Sequence, residues 1–126
     1  MAGLRNLREL ELFLNNISDL RPISGLTGLN HLSLGRNDVT DITPLANMKR
    51  LNYLNLRKNK LTNIRVLSNL KSLTYLVLSD NRISDVRPLS RLNNLEVLKL
   101  KNNNIRDLSP VEKFKGIKHY DVRGNR

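Results

Sequence analysis

Cysteine and tryptophan are absent from the 126 residues, and aromatic residues make up only 4% of the chain. Without cysteine there is no disulfide framework, no thiolate zinc site and no sulfur nucleophile. His31 and His119 are the only two histidines. No apolar run reaches the roughly eighteen residues that a membrane-spanning helix requires, and the opening Met1-Ala2-Gly3-Leu4-Arg5 has no apolar core of the kind that marks a signal peptide. Acidic residues are scarce: 11 Asp and Glu stand against 22 Lys and Arg, a formal charge of +11. Two residue types are abundant instead, with 26 leucines and 18 asparagines. The length fits one domain of residues 1–126, within the usual range of roughly 100–150 residues, and an apolar fraction of 39% supports a packed core.

The leucines and asparagines recur at a fixed interval of 22 residues. One column reads Leu4, Leu26, Met48, Leu70, Leu92 and Phe114. Three residues later come Leu7, Leu29, Leu51, Leu73, Leu95 and Ile117. Further on stand Leu10, Leu32, Leu54, Leu76, Leu98 and Tyr120, then Leu12, Leu34, Leu56, Leu78, Leu100 and Val122. Every unit carries the same amide: Asn15, Asn37, Asn59, Asn81, Asn103 and Asn125. A period of this length is the signature of a repeat architecture in which each unit is one supersecondary element. Five full repeats run from Leu4, followed by a partial, degenerate repeat over 114–126.

The segment Leu51-Asn52-Tyr53-Leu54-Asn55-Leu56-Arg57-Lys58-Asn59-Lys60-Leu61 matches L-x-x-L-x-L-x-x-N-x-L at each fixed position, and the chain resembles the leucine-rich repeat proteins over essentially its whole length. The second half of the unit narrows the likeness. Ile17-Ser18-Asp19-Leu20-Arg21-Pro22-Ile23 returns as Val39 to Leu45, Ile83 to Leu89 and Ile105 to Val111. This phrase is similar to that of the internalin class of bacterial surface proteins. It also resembles the repeats of a eukaryotic protein-phosphatase regulatory subunit, which usually lack the proline. The third unit departs from it, with Asn63 and Val66 in place of Asp and Pro. The resemblance implies a right-handed α/β solenoid with a parallel sheet on its concave face and short 3₁₀ or irregular turns on its convex face. It also implies a bacterial surface or secreted adhesion role, with an intracellular scaffold or phosphatase-regulator-like subunit as the alternative. Compartment follows the resemblance alone: extracellular or bacterial surface if internalin-like.

The residues themselves support such an architecture. In Tyr75-Leu76-Val77-Leu78-Ser79, strand alternation sends the leucines inward and Tyr75, Val77 and Ser79 outward. One such strand cannot bury its own apolar side, so neighbouring units stack and share a core. The asparagine ladder reads as structural, each amide pairing with backbone groups that would otherwise be buried without partners. Asp19, Asp41, Asp85 and Asp107 read as N-caps of helical turns. They do not read as calcium ligands, because each stands alone and a hard cation needs about six to eight oxygens. His31 and His119 lie four units apart, about 19 Å across a sheet with the usual strand spacing, too far to cooperate. No phosphate-cradling glycine loop is present. The chain is thus expected to be non-enzymatic and to need no cofactor and no metal.

Binding is expected on the concave face, the usual platform of a solenoid. The outward positions place Phe13, His31, Tyr53, Arg57, Tyr75, Val77, Lys99 and Lys101 there as candidate partner-binding residues, and tyrosine and arginine are enriched among binding hot spots. The expected occupant is another protein. Specific nucleic-acid recognition is not expected, because the positive charge is spread over both faces rather than gathered in one groove with stacking aromatics. Weak polyanion binding is the further alternative for a chain of this charge. The first unit starts at Leu4 with no preceding cap. Two explanations stand: a fragment of a longer array, or an open N-terminal edge that self-associates end to end with another copy.

Overall fold

A computed structural model describes residues 4–125, and Arg126 of the last repeat lies outside them. Six three-residue strands form one parallel sheet in chain order: β1 (Glu9–Glu11), β2 (His31–Ser33), β3 (Tyr53–Asn55), β4 (Tyr75–Val77), β5 (Val97–Lys99) and β6 (His119–Asp121). The register advances by one repeat at each step, so Leu10, Leu32, Leu54, Leu76, Leu98 and Tyr120 stand side by side. Backbone pairing continues past the strands. The N–H of Leu34 donates to the Asn55 carbonyl at 2.8 Å, and that of Arg36 to the Arg57 carbonyl at 2.7 Å.

Inward positions from consecutive units make one continuous apolar core. It includes Leu32, Leu54, Leu76 and Leu98 from the strands and Leu45, Leu67 and Leu89 from the opposite side. That side is built of 3₁₀ turns at Arg21–Ile23, Thr43–Leu45, Arg65–Asn69, Arg87–Leu89 and Ser109–Val111. A proline sits within the first turn in four of the five, where its missing N–H leaves no intrahelical bond unmade. The unit with Val66 in place of proline runs its turn on to Asn69, and Ser68 Oγ donates to the Arg65 carbonyl at 2.9 Å.

The aspartate column caps these turns from one residue earlier than expected. The N-cap positions are held by Leu20, Ile42, Val86 and Leu108, which make no side-chain cap bond. Three of these, Leu20, Ile42 and Val86, are buried in the core and Leu108 packs against it, so an apolar side chain is required at that position. The carboxylate therefore reaches two residues forward as an Asx turn, accepting the N–H of Arg21, Thr43, Arg87 and Ser109 at 2.9–3.0 Å. Asn63 Oδ1 accepts the Arg65 N–H at 2.9 Å, so the departing unit keeps the same bond with a neutral side chain. Asp19 and Asp85 also pair with Arg21 and Arg87, and the hydrogen bonds from those guanidinium groups lower each carboxyl to about 2.

The asparagines join consecutive turns. Asn59 Nδ2 donates to the Leu56 and Arg57 carbonyls of its own unit and to the Leu34 carbonyl of the unit before, and its Oδ1 accepts the Val39 N–H at 2.9 Å. Asn37, Asn81, Asn103 and Asn125 repeat this pattern one unit apart. The side-chain amide of Asn15, among the described residues, bonds only within its own unit, to the Leu12 and Phe13 carbonyls.

Immediately before each asparagine the chain turns through the left-handed region. Leu14, Arg36, Lys58, Asp80 and Asn102 have φ between 54° and 60°, and Gly124 has 76°. Side chains other than glycine hold this conformation at a cost of roughly 1–2 kcal/mol, less for Asn and Asp. The strain persists because the N–H of each donates to the next unit, as from Lys58 to the Ser79 carbonyl at 3.0 Å.

Candidate functional site: the outer face of the sheet

Strand alternation projects one residue of each unit from the first strand position, and the parallel register stacks them. His31, Tyr53 and Tyr75 are consecutive Cα partners, followed by Val97 and His119. The His31 and Tyr53 rings stack with centroids 4.1 Å apart and planes 3° from parallel. Tyr53 and Tyr75 stack at 4.8 Å and 30°. The ridge is anchored at both ends: His31 Nε2 hydrogen-bonds Glu11 Oε1, and Lys99 Nζ lies 5.9 Å from the centre of the Tyr75 ring, within cation–π range. All three rings are half-buried, and among the described residues no helix or second sheet lies over them.

Next to the ridge lies a groove of about 500 Å³ along the outer face from β3 to β6. A polar bridge crosses it. Arg57 Nε donates to Asp80 Oδ2 at 3.3 Å, and Asn102 Nδ2 donates to Asp80 Oδ1 at 2.8 Å, so three consecutive units are tied together. Partial burial pushes the Asp80 carboxyl up. The Asn102 and Arg57 hydrogen bonds and the Arg57 and Lys58 charges outweigh this and leave it below its ordinary value. Beyond the bridge, the Arg123 guanidinium holds Asp121 at about 2. With the acidic groups so engaged, Lys58, Lys99 and Lys101 have no ion-pair partner among the described residues.

The eight candidate residues therefore divide. His31, Tyr53, Tyr75 and Lys99 form the ridge, and Arg57 and Lys101 line the groove beside it. Val77 sits at the groove floor, only 6% exposed although its strand position points outward. Its cross-strand partners are Asn55 and Lys99, and a short side chain between longer ones a strand spacing away is covered by them. Phe13 stands apart at the first unit, 46% exposed. Its ring rests over Gly35, where a Cβ would approach Cδ1 to 3.0 Å. Two contributors were not singled out as candidates, Asp80 and Asn102. The signal for them lay in their spacing, since both fall one residue before the asparagine column.

A single parallel sheet stacked unit upon unit, with 3₁₀ turns opposite it, defines a repeat solenoid with an open sheet face. The family model for leucine-rich repeats, taken two copies at a time, matches residues 5–47, 27–70, 49–91 and 71–113, and the chain belongs to the leucine-rich repeat family. No curated protein matches the sequence. Among solved structures the chain is similar to internalin InlF of Listeria monocytogenes, at 37% identity and a TM-score of 0.96, over 99% of this chain and 37% of that one. It is similar to internalin C2 of the same species at 33% identity and a TM-score of 0.86, over 97% of this chain and 64% of that one. A leucine-rich repeat protein of Leptospira interrogans follows at 28% identity and a TM-score of 0.88, over 97% of this chain and 32% of that one. The chain thus spans between about a third and two thirds of these relatives' lengths.

Proposed function

We propose that this chain is a non-enzymatic protein-binding module that engages its partner through the concave face of the sheet. The observation that carries the reading is the His31–Tyr53–Tyr75 stack, a half-buried aromatic ridge on a face that no other layer covers. Rigid aromatic side chains flanked by an arginine are the usual anchors of a protein interface. Stacking also fixes the rings before a partner arrives, which lowers the ordering cost of association. Similarity to the internalins supports a bacterial surface or secreted adhesion role, by analogy of fold.

The test compares the chain with a Tyr53→Ala, Tyr75→Ala double variant, each immobilised and exposed to surface-protein extracts. The expected result is a discrete protein retained by the unaltered chain and at least tenfold less by the variant. The thermal melts should lie close together, because cross-strand aromatic pairs contribute only about 0.2–1 kcal/mol each. Equal retention by a folded double variant overturns the reading. The gene context supplies an independent check: a signal peptide or surface anchor in the full-length gene favours adhesion, and its absence favours an intracellular scaffold.

A further inference from the structure

We propose that the groove between β3 and β6 is selective for an acidic peptide segment, whose carboxylates meet Lys99 and Lys101, with Lys58 also lining the groove, while an apolar side chain rests on the tyrosine ridge. This deepens the reading above and rests on it.

Three observations lead there. The first is charge left over after internal pairing. Arg57 and Arg123 are occupied by Asp80 and Asp121, whereas the three lysines have no carboxylate partner among the described residues. An incoming anion breaks no ion pair of these ammonium groups among the described residues.

The second is spacing. Lys99 and Lys101 are two residues apart along an extended chain, about 6.6 Å between Cα atoms. An extended peptide presents alternate side chains to one surface at the same interval, so carboxylates at i and i+2 match the pair. The residue between them faces away, and the next one on the same side, at i−2 or i+4, comes beside Tyr75, over which Lys99 already lies.

The third separates a peptide from a polyanion. Asp80 and Asp121 remain inside the groove, and Glu9 and Glu11 lie on β1. A nucleic acid or sulfated polysaccharide would lay continuous negative charge along the face and meet all four. A short segment with local acidity stays clear of Glu9 and Glu11 on β1, and the two carboxylates it does meet, Asp80 and Asp121, are paired with Arg57 and Arg123.

The probe is a fluorescein-labelled octapeptide, Ser-Leu-Ser-Glu-Ser-Glu-Ser-Leu, which presents its glutamates and leucines on one face when extended, with a counterpart carrying glutamine for glutamate. Binding is read by anisotropy and mapped by amide chemical shifts on the full chain. The glutamate peptide is expected to bind at least tenfold tighter than the glutamine peptide, with shifts on β3 to β6. The double variant Lys99→Glu, Lys101→Glu should lose at least tenfold in affinity. The milder Lys99→Gln, Lys101→Gln pair should lose several-fold while keeping the native spectrum, and Lys49→Glu outside the groove should lose nothing. Equal affinity of the two peptides with shifts on β3 to β6 overturns the acidic preference and leaves the concave site standing. Shifts on the 3₁₀ side overturn both. Absence of binding by either peptide overturns the preference, as does tighter binding of a labelled RNA that Lys49→Glu weakens as much as Lys99→Glu.

Discussion

Leu10 and Leu54 occupy the same column of the repeat and pair through the same register, yet Leu54 is wholly excluded from solvent while Leu10 is only half-buried. The asparagines differ in the same way. The Asn59 side chain is buried and ties two units together, whereas that of Asn15 is exposed and, among the described residues, bonds only within its own unit. In a stack, each unit is sealed by its neighbours rather than by its own residues. Identical chemistry therefore contributes differently according to how many neighbours a unit has.

The largest expected effect is in the core. Leu54→Ala should cost about 2–5 kcal/mol, the range for a fully buried leucine that leaves a cavity. Leu10→Ala should cost less than about half of that, because part of its side chain already meets water. Urea denaturation of both variants measures the difference, and equal losses would show that β1 is as well sealed as β3. The asparagines come next. Asn59→Ala strands the Val39 N–H, while the Leu34 carbonyl keeps its bond from Asn37 Nδ2, and a buried group left without a partner costs about 1–3 kcal/mol. Asn15→Ala should cost under about 1 kcal/mol, as removal of an exposed hydrogen bond does. Amide exchange at Val39 checks the mechanism: its protection should fall in the first variant and stay unchanged in the second.

The smallest effect distinguishes the interior from the last unit through backbone strain. Lys58→Gly relieves a left-handed lysine and should stabilise by a few tenths to about 1 kcal/mol, net of the added freedom of the unfolded chain. Gly124→Ala should destabilise instead, since its Cβ would collide with the Asn102 amide. The Lys58→Gly variant should also bind the glutamate peptide less tightly. Stability gained with affinity lost, read by thermal melt and anisotropy on one sample, separates a functional lysine from a structural one.

Most of the scaffold was legible because the repeat specifies itself. Columns such as Leu32, Leu54 and Leu76 report the strand register, and Asn37, Asn59 and Asn81 report where the chain leaves the sheet. The tyrosine ridge could be anticipated on the same grounds, since residues 22 apart become neighbours. The aspartate column was placed one residue off, because the sequence does not say whether the turn begins at the aspartate or at the apolar residue after it. Burial of Val77 was also out of reach, as it depends on how Asn55 and Lys99 stand on either side.

By itself, then, the amino-acid order determined the period, the parallel register and the inward and outward faces, because those follow from local alternation and from the spacing of apolar residues. The tertiary structure alone decided which outward residues are accessible, that Arg57, Asp80 and Asn102 bond across three units, and which lysines remain without a partner. Those outcomes depend on side chains that lie more than twenty residues apart in sequence and about one strand spacing apart in space, a distance at which charge and shape are settled only once the units have stacked.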